Sequence, residues 1–169
     1  MSNRDVIALK KGYKFGSFTC GNERMDRWLT SSARRDGGEG NNRTHLWVDC
    51  ETQELLGYFT LAPAVITDNP FTGQTRPAIL LAKLAIAEHL RGQEPKQGHA
   101  LLYEAFRVAL EAADLVGGRY LVVDPQSDAL VPYYEDLGFE LAEGDADQGL
   151  RMLLKMSAVR RAFQEQAGS

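Results

Sequence analysis

The clearest pattern along the chain is a change of period between Ala78 and Asp114. From Ala78 to Ala87 every residue but Lys83 is apolar, a run whose length predicts a strand buried on both faces. About ten residues rich in charge, Gly and Pro follow. From Gly98 the spacing becomes helical: Leu101, Leu102, Ala105, Phe106, Ala109, Ala112 and Ala113 share one face, and Glu104, Arg107, Glu111 and Asp114 the other. A buried strand, a Gly-containing loop and a helix together make an anion site, because the free N–H groups of the first helical turn point into the loop.

Around this unit the pattern predicts Val6–Leu9 as a first strand. Asn22 caps a helix that has Glu23 and Asp26 in its first turn and Met25, Trp28 and Leu29 on its core face. Arg24, Arg27, Arg34 and Arg35 line the outer part of that same helix, and the glycines of Asp36–Asn42 predict a mobile loop. His45–Asp49 and Leu55–Leu61 read as a hairpin, and Ala62–Arg76, with its prolines and glycine, as a long irregular segment. Tyr120–Val123 is another buried strand. A short helix then starts late or is irregular at Pro132 and stops at Gly138. Phe139 opens a further strand, Asp145–Gln148 is a polar turn, Leu150–Met156 a strand, and Ser157–Gln166 a basic terminal helix. This order predicts an α/β (α+β) chain: one mixed sheet with helices on its faces, a single domain over 1–169.

Composition narrows the function classes. At 169 residues and 44% apolar content the chain fits one domain with a real core, and no run of 18 apolar residues occurs. With no signal-peptide pattern at the start, a cytoplasmic protein away from the membrane is expected. Cys20 and Cys50 fit small core thiols, and with His45, His89 and His99 they lack metal spacing, so no metal is expected. The net charge is −4, yet residues 1–48 hold 9 Lys/Arg against 5 Asp/Glu. The acidic whole argues against general nucleic-acid binding, while the start of the chain leaves room for a local basic face. Neither G-x-x-x-x-G-K-[ST] nor G-x-G-x-x-G is present, which sets aside the nucleoside-triphosphatase and dinucleotide loops.

Several words nonetheless occur in a known order. FTCGNERMDRWL resembles the "F-x-C-G-n-x-x-L-D-x-W-L" opening of the acetyltransferase-toxin branch of the GNAT N-acetyltransferases. LLGYFTLAP is similar to that branch's "v-v-G-Y-y-t-L", LAKLAI to its "L-A-r-L-A-v", YYEDLGF to "F-Y-e-x-x-G-F", and RMLLKM to its closing strand. The matches run from about Phe18 to Met156. The loop word Q/R-x-x-G-x-G/A maps onto Gln93, Lys96 and Gly98, with two extra residues around Glu94 and Pro95 and Lys96 where the motif has glycine. A Cβ at that position makes a positive φ costly, which predicts a looser or reshaped cradle with Lys96 as a phosphate ligand.

The resemblance implies the GNAT fold with a splayed central sheet and acetyl-CoA as acetyl donor. Its pantetheine would pair with Leu84, Ala85 and Ile86, and Ser127 would bond the same arm. The diphosphate would lie over Arg91, Gly92, Gln93, Lys96, Gln97, Gly98 and His99. It also implies direct attack by a primary amine in a ternary complex, with the Ile86 N–H as oxyanion donor and Tyr134 as general acid. Glu88, His89 and His99 are the titratable groups nearest in sequence, with solvated surface as their ordinary role. Three readings stay open: a general amine N-acetyltransferase; a toxin acetylating aminoacyl-tRNA through Arg24, Arg27, Arg34 and Arg35 and restrained by a ribbon-helix-helix antitoxin; and a non-catalytic CoA-binding module. An exposed strand edge with Met152, Leu153 and Leu154 favours a homodimer.

Overall fold

The computed structural model of the protein describes residues 3–69, 71–94, 96–142 and 150–167. Its strands are β1 (Arg4–Ala8), β2 (Arg43–Asp49), β3 (Leu55–Asn69), β4 (Gln74–Ile86), β5 (Tyr120–Val123), β6 (Glu140–Leu141) and β7 (Met152–Lys155). The helices are α1 (Glu23–Ser31), α2 (Ala33–Gly38), α3 (Gln97–Val116), α4 (Val131–Asp136) and α5 (Met156–Ala167). The strand order is β1-β2-β3-β4-β5-β7-β6, with β4 and β5 parallel and β1–β2, β2–β3, β5–β7 and β6–β7 antiparallel. This is the expected mixed sheet. The chain forms two compact units, one of Met1–Ala62 and Lys83–Ala105, the other of Pro63–Ala82 and Phe106–Ser169.

The first unit is built around α1. Asn22 caps it as its sequence predicts, the side-chain oxygen accepting from the N–H groups of Arg24 and Met25. That leaves Met25 and Leu29 on the buried face, packed with Cys20, Leu46, Val48 and Tyr58. The Tyr58 ring stacks on Trp28, centroids 6.3 Å apart, and its hydroxyl donates to Met25 O at 3.0 Å. So the words FTCGNERMDRWL and LLGYFTLAP, far apart in sequence, are two halves of one core. Lys83 breaks the apolar run of β4 without cost, because its ammonium lies 4.7 Å over the Trp28 ring.

The second unit centres on β5. Ile66, Ala78 and Val122 are buried together, with Ala64, Leu80, Tyr120 and Leu153 packed on them. The Arg151 guanidinium grips the Asp124 carboxylate with Nε at 2.8 Å and Nη2 at 3.0 Å, fixing the exit of β5. Met152 is fully buried in β7, between β5 and β6, and Leu153 and Leu154 are half-buried.

Three local expectations change. Residues 62–76 are mostly strand: β3 runs to Asn69 and β4 starts at Gln74, because Ala62 to Thr67 alternate inward and outward despite Pro63. Arg34 and Arg35 do not continue α1; they lie on a separate helix, α2, whose buried Ala33 anchors it and which extends through Gly38. The connection between α2 and β2 is thus Glu39–Asn42. Pro132 sits inside the first turn of α4, where its missing N–H has no partner to lose. The turn expected at Asp145–Gln148 lies outside the described residues.

Candidate acetyl-donor site

β4 outruns its parallel neighbour. Its register with β5 covers Ala78 to Leu81, and β5 ends at Val123, whereas β4 continues to Ile86. In the first unit the last part of β4 is held from the β3 side. Ala87 N–H donates to Leu56 O at 2.8 Å, and Ala85 O lies so close to Gly57 that a Cβ there would be 2.8 Å away. Because successive strand residues present their N–H and C=O to opposite edges, Leu84 and Ile86 present theirs to the edge away from β3. That edge is the one an extended amide can join. Gly57 permits this arrangement, since the missing side chain would also meet Leu101 Cδ2 at 2.9 Å on the first turns of α3.

The loop after β4 turns sharply through Glu88–Leu90, with Leu90 buried and its N–H bonded to Ala87 O. Gly92 takes φ +76°, a conformation that favours glycine. Arg91, Gln93, Lys96 and His99 are exposed; Gln97 and Gly98 are half-buried at the start of α3, with Gly98 next to the Ile86 side chain. The Gln93 amide donates to His89 O at 3.0 Å, so this side chain braces the loop. Gln97 is likewise engaged, accepting from Arg4, whose guanidinium lies 4.5 Å over Trp47. Neither Arg91 nor Lys96 has a carboxylate partner among the described residues. Pro95 lies outside the described residues.

His89 is tied to Glu54, Nε2 to Oε1 3.3 Å, and both are exposed. With Glu88 they border a cleft of about 550 Å³ walled by Tyr13, Phe15 and Phe18. Cys20 is buried, its thiol pushed up by burial and by Asp26, which removes it as a nucleophile.

In the second unit Tyr134 lies on α4, its ring edge-on to Phe139 at 5.6 Å and to Tyr133 at 5.3 Å. Burial pushes its pKa up, and its hydroxyl has no hydrogen-bond partner among the described residues. A half-buried phenol held protonated with an idle O–H is a group equipped to donate. Ser127 precedes the 3-10 turn Asp128–Leu130 and is exposed, its hydroxyl unused as a cap.

The arginines separate into two sets. Arg24 and Arg27 are exposed on α1, Arg34 and Arg35 on α2, and none is paired with a carboxylate among the described residues. Sequence reasoning missed the residues that join the α2 pair, the cations Lys11 and Arg43 and the imidazole of His45. No spacing relates them; β1 and β2 bring them together only in the fold. It also missed Gly57, although a glycine inside an otherwise apolar strand signals close backbone approach.

A mixed sheet whose β4 outlasts its parallel partner, and a glycine-bearing loop leading into a long helix, are the fold of the GNAT acyltransferases. The five ordered words resemble the acetyltransferase-toxin branch of that family. No protein-family model matches the chain. A curated relative, the tRNA-acetylating toxin of Mycobacterium tuberculosis (strain ATCC 25618 / H37Rv), is 27% identical over 151 residues, spanning 85% of this chain and 87% of that protein. Among solved structures, AtaT complexed with acetyl-methionyl-tRNAfMet superposes with a TM-score of 0.79 at 21% identity, covering 95% of this chain and 99% of that one. A mutant AtaT toxin bound to the C-terminus of the antitoxin AtaR and acetyl-CoA gives 0.78 at 23% identity, covering 95% and 98%.

Proposed function

We propose that this chain is an acetyl-CoA-dependent N-acetyltransferase whose acceptor is the amino group of an aminoacyl-tRNA. The observation that carries the donor half is the free edge of β4, where Leu84 and Ile86 offer backbone groups away from β3. The acceptor half is supported by the curated relative, which matches over most of both chains and is called a tRNA-acetylating toxin.

Acetyl-CoA supplies an activated thioester and a nucleotide diphosphate. Leu84 and Ile86 hold the pantetheine amides as an added strand would, flanking Ala85, and Ser127 bonds the same arm. The Ile86 N–H donates to the thioester oxygen, where negative charge grows as the amine attacks. Arg91 and Lys96 have no carboxylate partner among the described residues, and with the amides from Gly92 through Gln93 to Gln97, Gly98 and His99 they suit a diphosphate. As the C–S bond breaks, Tyr134 hands its phenolic proton to the departing sulfur, and the proton shed through water by the nitrogen that attacked restores the phenol. No base beyond water is required if the ternary complex presents a neutral amine. Arg24, Arg27, Arg34 and Arg35 attract the acceptor's phosphates. A ribbon-helix-helix antitoxin as restraining partner, and self-association as a dimer, belong to the same reading.

The test is transfer of label from acetyl-CoA to charged tRNA. Radioactivity in the tRNA fraction that leaves as acetyl-amino acid on mild alkali is the expected result. Label appearing on free amines alone would replace the acceptor; no transfer to any amine at millimolar donor would remove the enzyme.

A further inference from the structure

One cavity of the first unit takes no part in acetyl transfer. It is the cleft of about 550 Å³ between the segment from Tyr13 to Thr19, the turn before β3 and the residues that leave β4. Its aromatic walls are fixed by ring contacts. Tyr13 meets Phe15 edge-on with centroids 5.3 Å apart, and Phe18 meets Tyr58 edge-on at 6.3 Å. Tyr58 is fully buried, so Phe18 is held from behind. The result is a preformed, ring-lined space in the range of small-molecule sites.

The charged groups at its rim favour one sign. Glu54 and Glu88 line it against one cation, Lys14, and the imidazole of His89. The Glu54 carboxylate is engaged by His89, whereas the Glu88 carboxylate has neither a hydrogen bond nor an ion pair among the described residues. Glu88 is nevertheless held in place. Its N–H donates to Thr19 O at 2.8 Å, and its carboxylate lies on Gly21, where an added Cβ would be 3.3 Å from Oε1. The Tyr13 hydroxyl is likewise without a partner among the described residues.

Aromatic faces attract cations and repel anions, because the ring quadrupole is negative over the face. The Phe15 ring already takes such a contact from the Arg34 guanidinium, 5.9 Å from its centroid. That leaves Tyr13 and Phe18 for a ligand. An anion would face Glu54 and Glu88 together and gain only Lys14. A cation gains a charge-assisted bond from Glu88 and contact with the rings. We propose that this cleft binds a small organic cation, a guanidinium or ammonium on a short carbon stem, with its charge on Glu88 and its stem against the Tyr13 and Phe18 rings. The site stands apart from the acetyl-transfer reading, which gives none of these residues to the donor or the acceptor.

The experiment follows backbone amide shifts of the isotope-labelled, full-length protein as butylguanidinium is added, in wild type, E88Q and F18L. Saturable shifts are expected at Thr19, Gly21, Glu88 and His89. Affinity should fall about tenfold in E88Q and about threefold in F18L, with melting temperatures near wild type showing that both variants are folded. Butylurea, of the same shape without the charge, should bind at least about tenfold more weakly than butylguanidinium. A blocked Ala-Arg-Ala peptide tells the source of the cation: tighter binding than butylguanidinium means that it arrives on a polypeptide, weaker binding that it arrives free, and either supports the site. No saturable shift with butylguanidinium, butylamine or the peptide at about 20 mM would overturn the proposal. So would equal binding of butylurea, or an E88Q variant that binds as wild type does. Shifts at the same amides from butyl phosphate alone would assign the cleft to an anion on Lys14, and the cation would lose it.

Discussion

Two loops of the first unit lead into helices, and they use their polar groups in opposite ways. Between Phe18 and Asn22, leading into α1, nearly every group is spent inside the fold. The Thr19 hydroxyl donates to Asp26 Oδ2 at 2.6 Å, Cys20 N–H to Asp26 Oδ1 at 2.9 Å, Gly21 N–H to the Thr19 hydroxyl at 3.1 Å, and Asn22 caps the helix. Between Arg91 and Lys96, leading into α3, Arg91, Glu94 and Lys96 are exposed and have no ion-pair partner among the described residues, while the Gln93 side-chain amide turns back on the loop. A loop with its hydrogen bonds closed holds a core; one with its charges open waits for a ligand. The first kind should answer mutation with lost stability and the second with lost affinity.

The hinge of that contrast is Gly57, where β3 lets the end of β4 come close. Gly57→Val drives a side chain into Ala85 O, a backbone atom that cannot swing away, and into Leu101. We expect a loss of about 3 kcal/mol in denaturant unfolding, with acetyl-CoA affinity falling in step. Tyr134→Phe keeps the ring packing on Phe139 and removes only the proton donor. A fall in kcat of about a hundredfold, with donor affinity and melting temperature near wild type, is expected, and an unchanged kcat would assign the proton to another group.

Asp26→Asn opens the closed loop. The Asp26 carboxyl is pushed up by burial, but the bonds from Thr19 and Cys20 outweigh this and hold it below its ordinary value. A depressed pKa contributes stability that is present above the unfolded value near 4 and is lost as pH falls through the folded one. The variant should therefore lose about 1.5 kcal/mol at neutral pH, show a flatter stability profile below pH about 4, and keep its donor affinity while folded. Smallest is the effect on the open loop. Arg91→Ala and Lys96→Ala should each weaken acetyl-CoA binding about fivefold and leave the melting temperature alone, and a drop in melting temperature instead would mean that these charges serve the fold.

Much of this was written in local chemistry. The Asn22 cap, the core face of Met25 and Leu29, and the apolar run into β4 are interactions between near neighbours, and the pattern states them directly. Proline and glycine misled where packing overrode them. Pro63 stays within a strand because the residues on either side keep alternating, and Gly37 and Gly38 end a helix because Ala33 is buried beneath it. What no pattern contains is convergence: Lys11, Arg35 and Arg43 share a groove, and Asp124 meets Arg151, because strands far apart in sequence lie side by side.

Donor binding by this chain depends on the edge of β4 in the proposed mode, and amide hydrogen exchange reads that edge residue by residue. Saturating acetyl-CoA should slow exchange at Leu84 and Ile86, whose N–H groups face away from β3, and leave Ala87, already bonded to Leu56 O, as it was. Leu84 and Ile86 exchanging as fast with the donor bound as without it would contradict the proposed mode of binding.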